Sequence, residues 1–351
     1  MASVVSLGTA LPAHRYSQEQ LAARCRGLFE EALPAERREA LFSNAGVEHR
    51  FLVEPSDYYL SAPSFSRRNG DYLRHAQPLA TTAIAEALSG AGLRHEDVAH
   101  LFSVTTTGLL TPSLEARLAQ ALPFARGVKR TPLFRVGCAG GAVALARAYE
   151  YLRGHPEETA LVLSTELCSL SFLPGDGTIT QLVAAALFAD GAAAAVLRGA
   201  KAIGGAPPRA RILAAESALF GDSLDVMGWD FGEEGMRLVL SPDAPRLVQA
   251  ALRGVIDGFL GRHGKKLEDV SLFVMHPGSR RILDACEIAL ELAPDELSFS
   301  RRFLAEHGNL SSASVLFILR EALKKARPGK LGLLAALGPG FACETLLFET
   351  L

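Results

Sequence analysis

Short, nearly continuous apolar runs separated by longer amphipathic stretches form the main hydrophobic pattern of this 351-residue chain. The runs lack the polar residue at every second position that is typical of a half-exposed strand. They therefore predict strands buried on both faces, as in largely parallel sheets covered by helices. The five predicted strands are 101–104, 160–163, 192–197, 272–275 and 331–337.

The pattern also repeats along the chain. Residues 96–98 and 268–270 both read Glu-Asp-Val, and each triplet precedes a predicted strand. Gly-Cys at 137–138 and Gly-Asn at 308–309 each open a helix rich in small residues. Because these matches share a separation of about 170 residues, they indicate a duplicated unit of alternating strands and helices. The sequence thus predicts an α/β fold made of two related halves.

Two glycines and two prolines cluster at 204–208, which predicts a linker between the halves over 199–211. The predicted domains are 1–205 and 206–351. Residues 14–75 are richer in Arg, Glu and aromatic side chains and have no counterpart in the second half. We interpret them as a helical and loop insertion that covers the mouth of the functional site.

Composition narrows the classes of partner. The formal net charge is −2, which gives no support for nucleic acid or an anionic membrane as the main partner. No apolar run approaches the ~18 residues of a membrane span, and the first nine residues lack the features of a signal peptide. The five cysteines are odd in number and lack Cys-x-x-Cys spacing. We therefore expect reduced thiols in the cytoplasm, with no disulfide framework and no metal site.

Three polar residues fall where a duplicated α/β unit gathers its ligands, at the carboxyl ends of strands. Cys138 begins a helix in the first half, His276 ends a strand in the second, and Asn309 begins a helix there. A helix N-terminus is expected to lower the pKa of the Cys138 thiol. Taken singly, the three could be a buried structural cysteine, a histidine in a turn and a helix cap. Only as a set do they predict catalysis.

A Cys, a His and an Asn that converge suit two kinds of enzyme. One is a cysteine hydrolase, whose acyl-enzyme must admit water. The other is an acyltransferase that condenses acyl units and must exclude water. Asparagine can donate a hydrogen bond to an enolate oxygen without protonating its carbon. The apolar residues around the site favour the condensing enzyme.

Six segments that occur in order resemble the signatures of type III polyketide synthases, the chalcone synthase-like enzymes. One of them, Asp-Val-Met-Gly-Trp-Asp at 225–230, is similar to the bacterial branch. The others are 137–141 (Gly-Cys-Ala-Gly-Gly), 186–192 (Ala-Leu-Phe-Ala-Asp-Gly-Ala), 275–278 (Met-His-Pro-Gly), 307–312 (His-Gly-Asn-Leu-Ser-Ser) and 337–341 (Leu-Gly-Pro-Gly-Phe). The resemblance implies the thiolase fold, a duplicated five-layered αβαβα arrangement with two mixed sheets. It also implies a homodimer.

The resemblance implies a mechanism as well. Cys138 takes the acyl group of a starter acyl-CoA, and His276 holds Cys138 as a thiolate. His276 and Asn309 polarise the thioester of malonyl-CoA, so that loss of CO2 leaves an enolate for a Claisen condensation. The CoA thioesters are substrates, and no metal or tightly bound cofactor is implied.

The resemblance also assigns a cavity. Phe188 is the gatekeeper between the CoA tunnel and the cavity, Arg50 is a candidate for binding CoA, and Thr111 would reach the cavity of the partner subunit. The remaining cavity positions are Thr106, Cys168, Ser171, Ala184, Leu238, Ser311, Gly340 and Phe341.

Small residues at 171 and 184 could open a tunnel for a fatty acyl chain. We therefore expect a long-chain acyl-CoA starter and an alkylpyrone or alkylresorcinol product. The alternatives are a tetrahydroxynaphthalene-type synthase that uses malonyl-CoA alone, and a condensing enzyme like ketoacyl-ACP synthase III. A binding module without catalysis is the third possibility.

Overall fold

The computed structural model describes residues 2–30, 33–293 and 295–351. The strands in these residues are β1 (Ala2–Ala10), β2 (His14–Ser17), β3 (His49–Leu52), β4 (His100–Thr105), β5 (Lys129–Phe134), β6 (Thr159–Leu167), β7 (Asp190–Gly199), β8 (Ala210–Leu219), β9 (Met227–Gly232), β10 (Gly235–Leu240), β11 (Leu272–Met275), β12 (Leu331–Gly338) and β13 (Ala342–Thr350). All five strands predicted from the sequence are present.

The helices in the described residues are α1 (Gln18–Arg24), α2 (Ala35–Ser43), α3 (Ser56–Leu60), α4 (Phe65–Ala91), α5 (Leu114–Ala121), α6 (Gly140–Gly154), α7 (Ile179–Leu187), α8 (Ala244–Arg262), α9 (Arg280–Leu290), α10 (Ser298–His307) and α11 (Ser314–Lys325). None of these helices combines the length and the apolar character that a membrane span requires.

Each half contributes a mixed sheet. In the first half the order is β1-β7-β6-β4-β5, and in the second it is β8-β13-β12-β11. The innermost strands β1 and β8 pair antiparallel over three residues at Ala2–Val4, so hydrogen bonding joins the two sheets into one of nine strands. The sequence predicts two sheets, and this short pairing is what links them.

The helices complete five layers. Helices α6 and α11 lie between the sheets, where their apolar residues pack with Val104 and Ala193 of one half and Val274 and Leu334 of the other. Helix α4 covers the outer face of the first sheet, and α8 and α9 cover that of the second. Because helices cover both faces of these strands, their sequences show apolar runs without alternation.

The duplication is visible in matching elements. A 3₁₀ turn at Gly137–Ala139 leads into α6, and a 3₁₀ turn at Ser311–Ala313 leads into α11. Both turns begin with a positive φ, 56° at Gly137 and 48° at Ser311. The repeat predicted from the sequence pairs Gly137 with Gly308, and this pairing is wrong by three residues. In the structure Ser311 is equivalent to Gly137, and Ser312 is equivalent to Cys138.

Glycine allows the two turns to approach closely. A Cβ at Gly141 would overlap the carbonyl oxygen of Ser312, and one at Gly137 would overlap Pro339. The central helices can therefore bring the first-half cysteine next to second-half residues.

The insertion at 14–75 contains α1, α2, α3 and the start of α4, as expected of a helical segment. It also contains the antiparallel pair β2 and β3, which the sequence analysis did not predict. Helices α1 and α3 reach the rim of the cavity described below.

Candidate active site

Cys138 lies on the 3₁₀ turn that follows β5 and precedes α6. The N–H group of Gly137 donates to Thr106 Oγ1 at 3.1 Å, which fixes the turn against the end of β4. The Cys138 side chain is half-buried, and its Sγ lies 3.7 Å from Ser311 Oγ. The sequence prediction that Cys138 stands at a helix start is therefore confirmed.

His276 directly follows β11, where its N–H group donates to the carbonyl of Ala335 in β12 at 2.9 Å. The imidazole is only 5% exposed, and neither ring nitrogen has a hydrogen-bond partner among the described residues. Buried polar atoms are rarely left without partners. Both nitrogens of His276 are consequently available to a substrate or to the thiol.

Asn309 links the turn that carries Cys138 to the segment that follows His276. Its Nδ2 donates to the carbonyl of Gly278, two residues after His276, at 3.0 Å, and the same amide lies within hydrogen-bond reach of the Cys138 thiol. Its Oδ1 accepts from the N–H of Ser311 at 2.8 Å. The Oδ1 bond leaves the amide nitrogen turned towards the cysteine. The structure thus brings the three predicted catalytic side chains to the junction of the two halves.

Burial dominates the electrostatics of this centre. It raises the pKa of the Cys138 thiol to about 12, although Ser311 and Asn309 act in the opposite direction, and it lowers the pKa of His276 to about 3. The expected lowering of the thiol pKa by the helix is therefore corrected: each group taken alone is neutral at pH 7. An opposite charge nearby would offset the cost of burying a thiolate or an imidazolium, so a charged pair is favoured here over either ion alone.

Glu166 is a functional residue that the sequence analysis missed. It is fully buried at the end of β6 and accepts hydrogen bonds from the N–H groups of Thr106 and Thr107 at 3.0 and 3.2 Å. It also accepts from the hydroxyls of Thr107 and Ser312 at 2.8 and 2.5 Å. This carboxylate ties the end of β4 to the second-half turn. The sequence signal that could have identified Glu166 was a single carboxylate inside an otherwise apolar strand.

A cavity lies on the other side of Phe188 from Asn309. Residues 187–189 and Asn309 exchange backbone hydrogen bonds of 2.8 and 3.0 Å, so the gatekeeper candidate directly adjoins the catalytic centre. The cavity lining is largely apolar. It includes five of the predicted cavity residues: Cys168, Ser171, Ala184, Phe188 and Leu238.

The remaining predicted positions lie elsewhere. Thr106 is buried beneath Gly137, and Phe341 is buried against Phe220 with ring centroids 4.9 Å apart. Gly340 lies in the turn between β12 and β13, with its N–H donating to the carbonyl of Met227. None of the three is among the described residues that line the cavity, and Thr111 is exposed on the surface.

The assignment of Arg50 to CoA phosphate binding needs correction. A phosphate at a tunnel mouth requires an accessible guanidinium. Arg50 is only 3% exposed, and its side chain lines the inner cavity next to Phe188.

Trp229 and Gln181 also line the cavity and were not singled out from the sequence as site residues. Trp229 lies directly across the β9–β10 pair from Leu238, so the two side chains share a face. The cross-strand register that pairs them depends on the turn at 232–235 and could not be read from apolar pattern alone.

Comparison with known proteins agrees with this geometry. Residues 1–202 match the N-terminal domain of chalcone and stilbene synthases, and residues 211–351 match their C-terminal domain. The 1,3,6,8-tetrahydroxynaphthalene synthase of Streptomyces peucetius subsp. caesius is 40% identical over 350 residues, covering 99% of this chain and 93% of that enzyme. The 3,5-dihydroxyphenylacetyl-CoA synthase of Streptomyces toyocaensis is 32% identical over 361 residues, covering 99% of this chain and 89% of that enzyme.

A solved structure is similarly close. The 1,3,6,8-tetrahydroxynaphthalene synthase of Streptomyces coelicolor A3(2), described as a bacterial type III polyketide synthase, superposes with a TM-score of 0.94 at 31% identity, covering 99% of both chains. The likeness extends over both halves of the chain. The chain therefore belongs to the chalcone and stilbene synthase family, as a type III polyketide synthase with the acyltransferase chemistry and thiolase fold of that family.

Proposed function

We propose that this polyketide synthase loads a long-chain acyl group from acyl-CoA onto Cys138, extends it with malonyl-CoA and cyclises the product to an alkylpyrone or alkylresorcinol. The observation that carries the proposal is the largely apolar cavity next to Phe188, with small residues at Ser171 and Ala184.

Loading begins when His276 takes the thiol proton. The sulfur attacks the thioester carbonyl, the bond to the CoA sulfur breaks, and CoA leaves with the proton from the imidazolium. Because His276 has no other hydrogen-bond partner, its nitrogens are free for this transfer.

Extension begins when malonyl-CoA places its thioester oxygen between His276 and the Asn309 amide. The bond to the carboxylate breaks, CO2 leaves, and the electron pair becomes an enolate whose oxygen the two donors stabilise. The enolate carbon then attacks the acyl carbonyl on Cys138, and the carbon–sulfur bond breaks to regenerate the thiolate. The buried surroundings of Asn309, which is 1% exposed, protect the enolate from water.

The cavity supports a long starter because burying each CH2 group contributes roughly 0.8 kcal/mol. Leu21, Leu52, Leu60, Phe172 and Trp229 extend the lining away from Phe188 towards the rim at α1 and α3. An alkyl chain along this lining would gain affinity with each added carbon, whereas acetyl or malonyl starters would leave it empty.

A second candidate is synthesis of a tetrahydroxynaphthalene from malonyl-CoA alone. Its support is the 40% identity to an enzyme with that activity in its name. The two candidates differ in what fills the cavity at the start of the reaction.

A starter panel separates them. Purified protein is incubated with malonyl-CoA and acyl-CoA esters of increasing chain length, and products are identified by mass spectrometry. The first proposal requires kcat/KM to rise with chain length. A184F, which narrows the cavity, should then lower activity with long starters by roughly tenfold or more while sparing acetyl-CoA. Turnover of malonyl-CoA alone, unaffected by any starter, would favour the second candidate.

We also propose a homodimer, in which Thr111 of each subunit approaches the partner's cavity. Thr111 is exposed and follows a half-buried Leu109-Leu110 pair, as suits a contact segment. Sedimentation should give twice the 37.4 kDa mass of one chain. T111R should shift the protein towards monomer, and an unchanged monomeric mass for both proteins would contradict the proposal.

A further inference from the structure

Arg50 carries unused hydrogen-bonding capacity inside the cavity. Its Nη1 donates to the carbonyl of Phe188 at 3.1 Å, but Nε and Nη2 have no partner in the part of the chain that the structure describes, and the residue is only 3% exposed. Leaving a buried charged donor unsatisfied costs more than most single interactions return. The arrangement is accounted for if a ligand completes the set of hydrogen bonds.

Among the described residues, no carboxylate forms an ion pair with this guanidinium. Cys25 and then Asp190 act on its charge, but burial raises the pKa of the Cys25 thiol, and the Asp190 oxygens accept from the N–H of Val53 at 2.8 Å and from Ser169. Among the described residues that line the cavity, Arg24 and Arg50 are charged and none is acidic. The cavity therefore favours a ligand with oxygen acceptors or negative charge.

Position distinguishes the two ends of the cavity. Arg50 packs against Gly308, next to Asn309, and bonds the backbone of Phe188, so it marks the catalytic end. Ser171 Oγ, in the same lining, also lacks a partner among the described residues. Most of the remaining lining is apolar. A ligand that is oxygen-rich near Cys138 and apolar beyond it matches this distribution.

A growing polyketide has that chemistry. Each extension inserts a ketone next to Cys138 and pushes the alkyl starter outwards, so that carbonyl oxygens two carbons apart collect at the catalytic end. The guanidinium offers Nε–H and Nη2–H as a planar fork, suited to two oxygens on one side of a ligand. Resting on the proposed function, we propose that Arg50 binds the 1,3-dicarbonyl unit of the growing chain through this fork and holds it in place for further extension and cyclisation.

This role makes Arg50 a positioning residue for the intermediates rather than for loading. Neither the acyl transfer to Cys138 nor the loss of CO2 from malonyl-CoA involves its fork. Substitution should therefore separate the early steps from the later ones. A purely structural arginine would affect all steps together.

The test compares Arg50→Lys and Arg50→Met with Arg26→Met, which removes an exposed arginine of the same N-terminal segment. Three rates are measured: acylation of Cys138, formation of acetyl-CoA from malonyl-CoA, and release of products sorted by number of extensions. For both Arg50 variants we expect the ratio of full-length to truncated products to fall by roughly tenfold or more, since hydrogen bonds to charged groups are strong. The first two rates should stay within about twofold, and Arg26→Met should match the unmodified protein.

Equal losses in all three rates, with an unchanged product ratio, would overturn the proposal and assign Arg50 to structure alone. Failure of Cys138 to become acylated in the unmodified protein would instead refute the proposed function. The two failures are thus distinguishable.

A second measurement needs no Arg50 variant and remains valid if those variants fail to fold. Acetylacetone, a small 1,3-dicarbonyl, is titrated into the unmodified protein and followed by ultraviolet difference spectroscopy. We expect its enolate band to appear at neutral pH with one ligand per chain, because a guanidinium fork stabilises the enolate. Absence of the band in the unmodified protein would overturn the proposal.

Discussion

The two halves of the molecule place the same backbone turn at the active site and use it differently. In the first half, Gly137–Ala139 presents Cys138 to the substrate. In the second half, the equivalent Ser311–Ala313 turns Ser312 inwards, where its hydroxyl bonds Ser164 at 2.7 Å and Glu166 at 2.5 Å. One turn is reactive and half-buried, and the other is fully bonded and inaccessible.

The difference shows how a duplicated fold acquires one active site. In the proposed mechanism, the first half supplies the nucleophile, and the second supplies His276 and Asn309 from the strand and loop beside its own turn. Ser312 and Glu166 then fix the distance between the halves. Replacements at matched positions of the two turns can test this division of roles.

The largest effect is expected from replacing Cys138 with serine, the residue at the equivalent position of the second turn. Cys138→Ser replaces a thiol with a hydroxyl that His276 cannot activate as readily, so product formation should fall about 10³-fold or more. Acetyl-CoA formation from malonyl-CoA should persist, because decarboxylation needs His276 and Asn309. Product formation above a tenth of the original rate would remove Cys138 from its assigned role.

Glu166→Ala removes the link between the halves and leaves the N–H groups of Thr106 and Thr107 without an acceptor. We expect the free energy of unfolding to fall by about 3 kcal/mol. Chemical denaturation measures the change. Ser311→Ala is the matched control, since that hydroxyl contacts the thiol rather than the carboxylate, and it should change stability by less than about 1 kcal/mol. Equal losses of stability in Glu166→Ala and Ser311→Ala would contradict the role of Glu166 as a link between the halves.

His276→Ala tests how the thiolate forms. Burial raises the pKa of the Cys138 thiol, so without the imidazole the thiol stays protonated at pH 7. Alkylation of Cys138 by iodoacetamide at pH 7 should slow by roughly 100-fold. It should recover as the pH rises towards the raised pKa, since only the thiolate reacts. A pH profile identical to that of the unmodified protein would show that His276 does not take the proton.

The smallest effects are expected from replacing glycine with alanine, once in a helix between the sheets and once in an outer helix. Gly141→Ala places a methyl group against the Ser312 carbonyl and should cost roughly 2 kcal/mol of stability. Gly254→Ala lies on the exposed face of α8 with open space around it and should add about 0.5–1 kcal/mol. If both substitutions changed the free energy of unfolding in the same direction, the result would contradict the close approach of the halves.

Much of this architecture follows from residue pattern. Apolar runs located β4, β6, β7, β11 and β12 because each of these strands is covered on both faces. The repeat was inferred from matching segments about 170 residues apart. The convergence of Cys138, His276 and Asn309 was then predicted from the rule that ligands gather at strand ends. The family resemblance supplied Phe188 and the cavity positions that line the observed space.

Other features depend on geometry that a linear pattern does not contain. The register of the repeat was misassigned because the glycine of the first turn is replaced by Ser311 with the same positive φ. Arg50 was assigned to CoA binding by family resemblance, whereas strand β3 turns its side chain inwards with Leu52. The pKa of Cys138 depends on its burial, which exceeds the effect of the helix start.

Mass spectrometry of the intact protein tests the central claim most directly, that Cys138 of one half and Asn309 of the other act on the same acyl chain. After exposure to a long-chain acyl-CoA, the account predicts one acyl group per chain, located on Cys138 and released as extended product when malonyl-CoA is added. In Asn309→Ala the acyl group should form but persist in malonyl-CoA. An acyl group on another residue, or its release from Asn309→Ala at the original rate, would contradict the account.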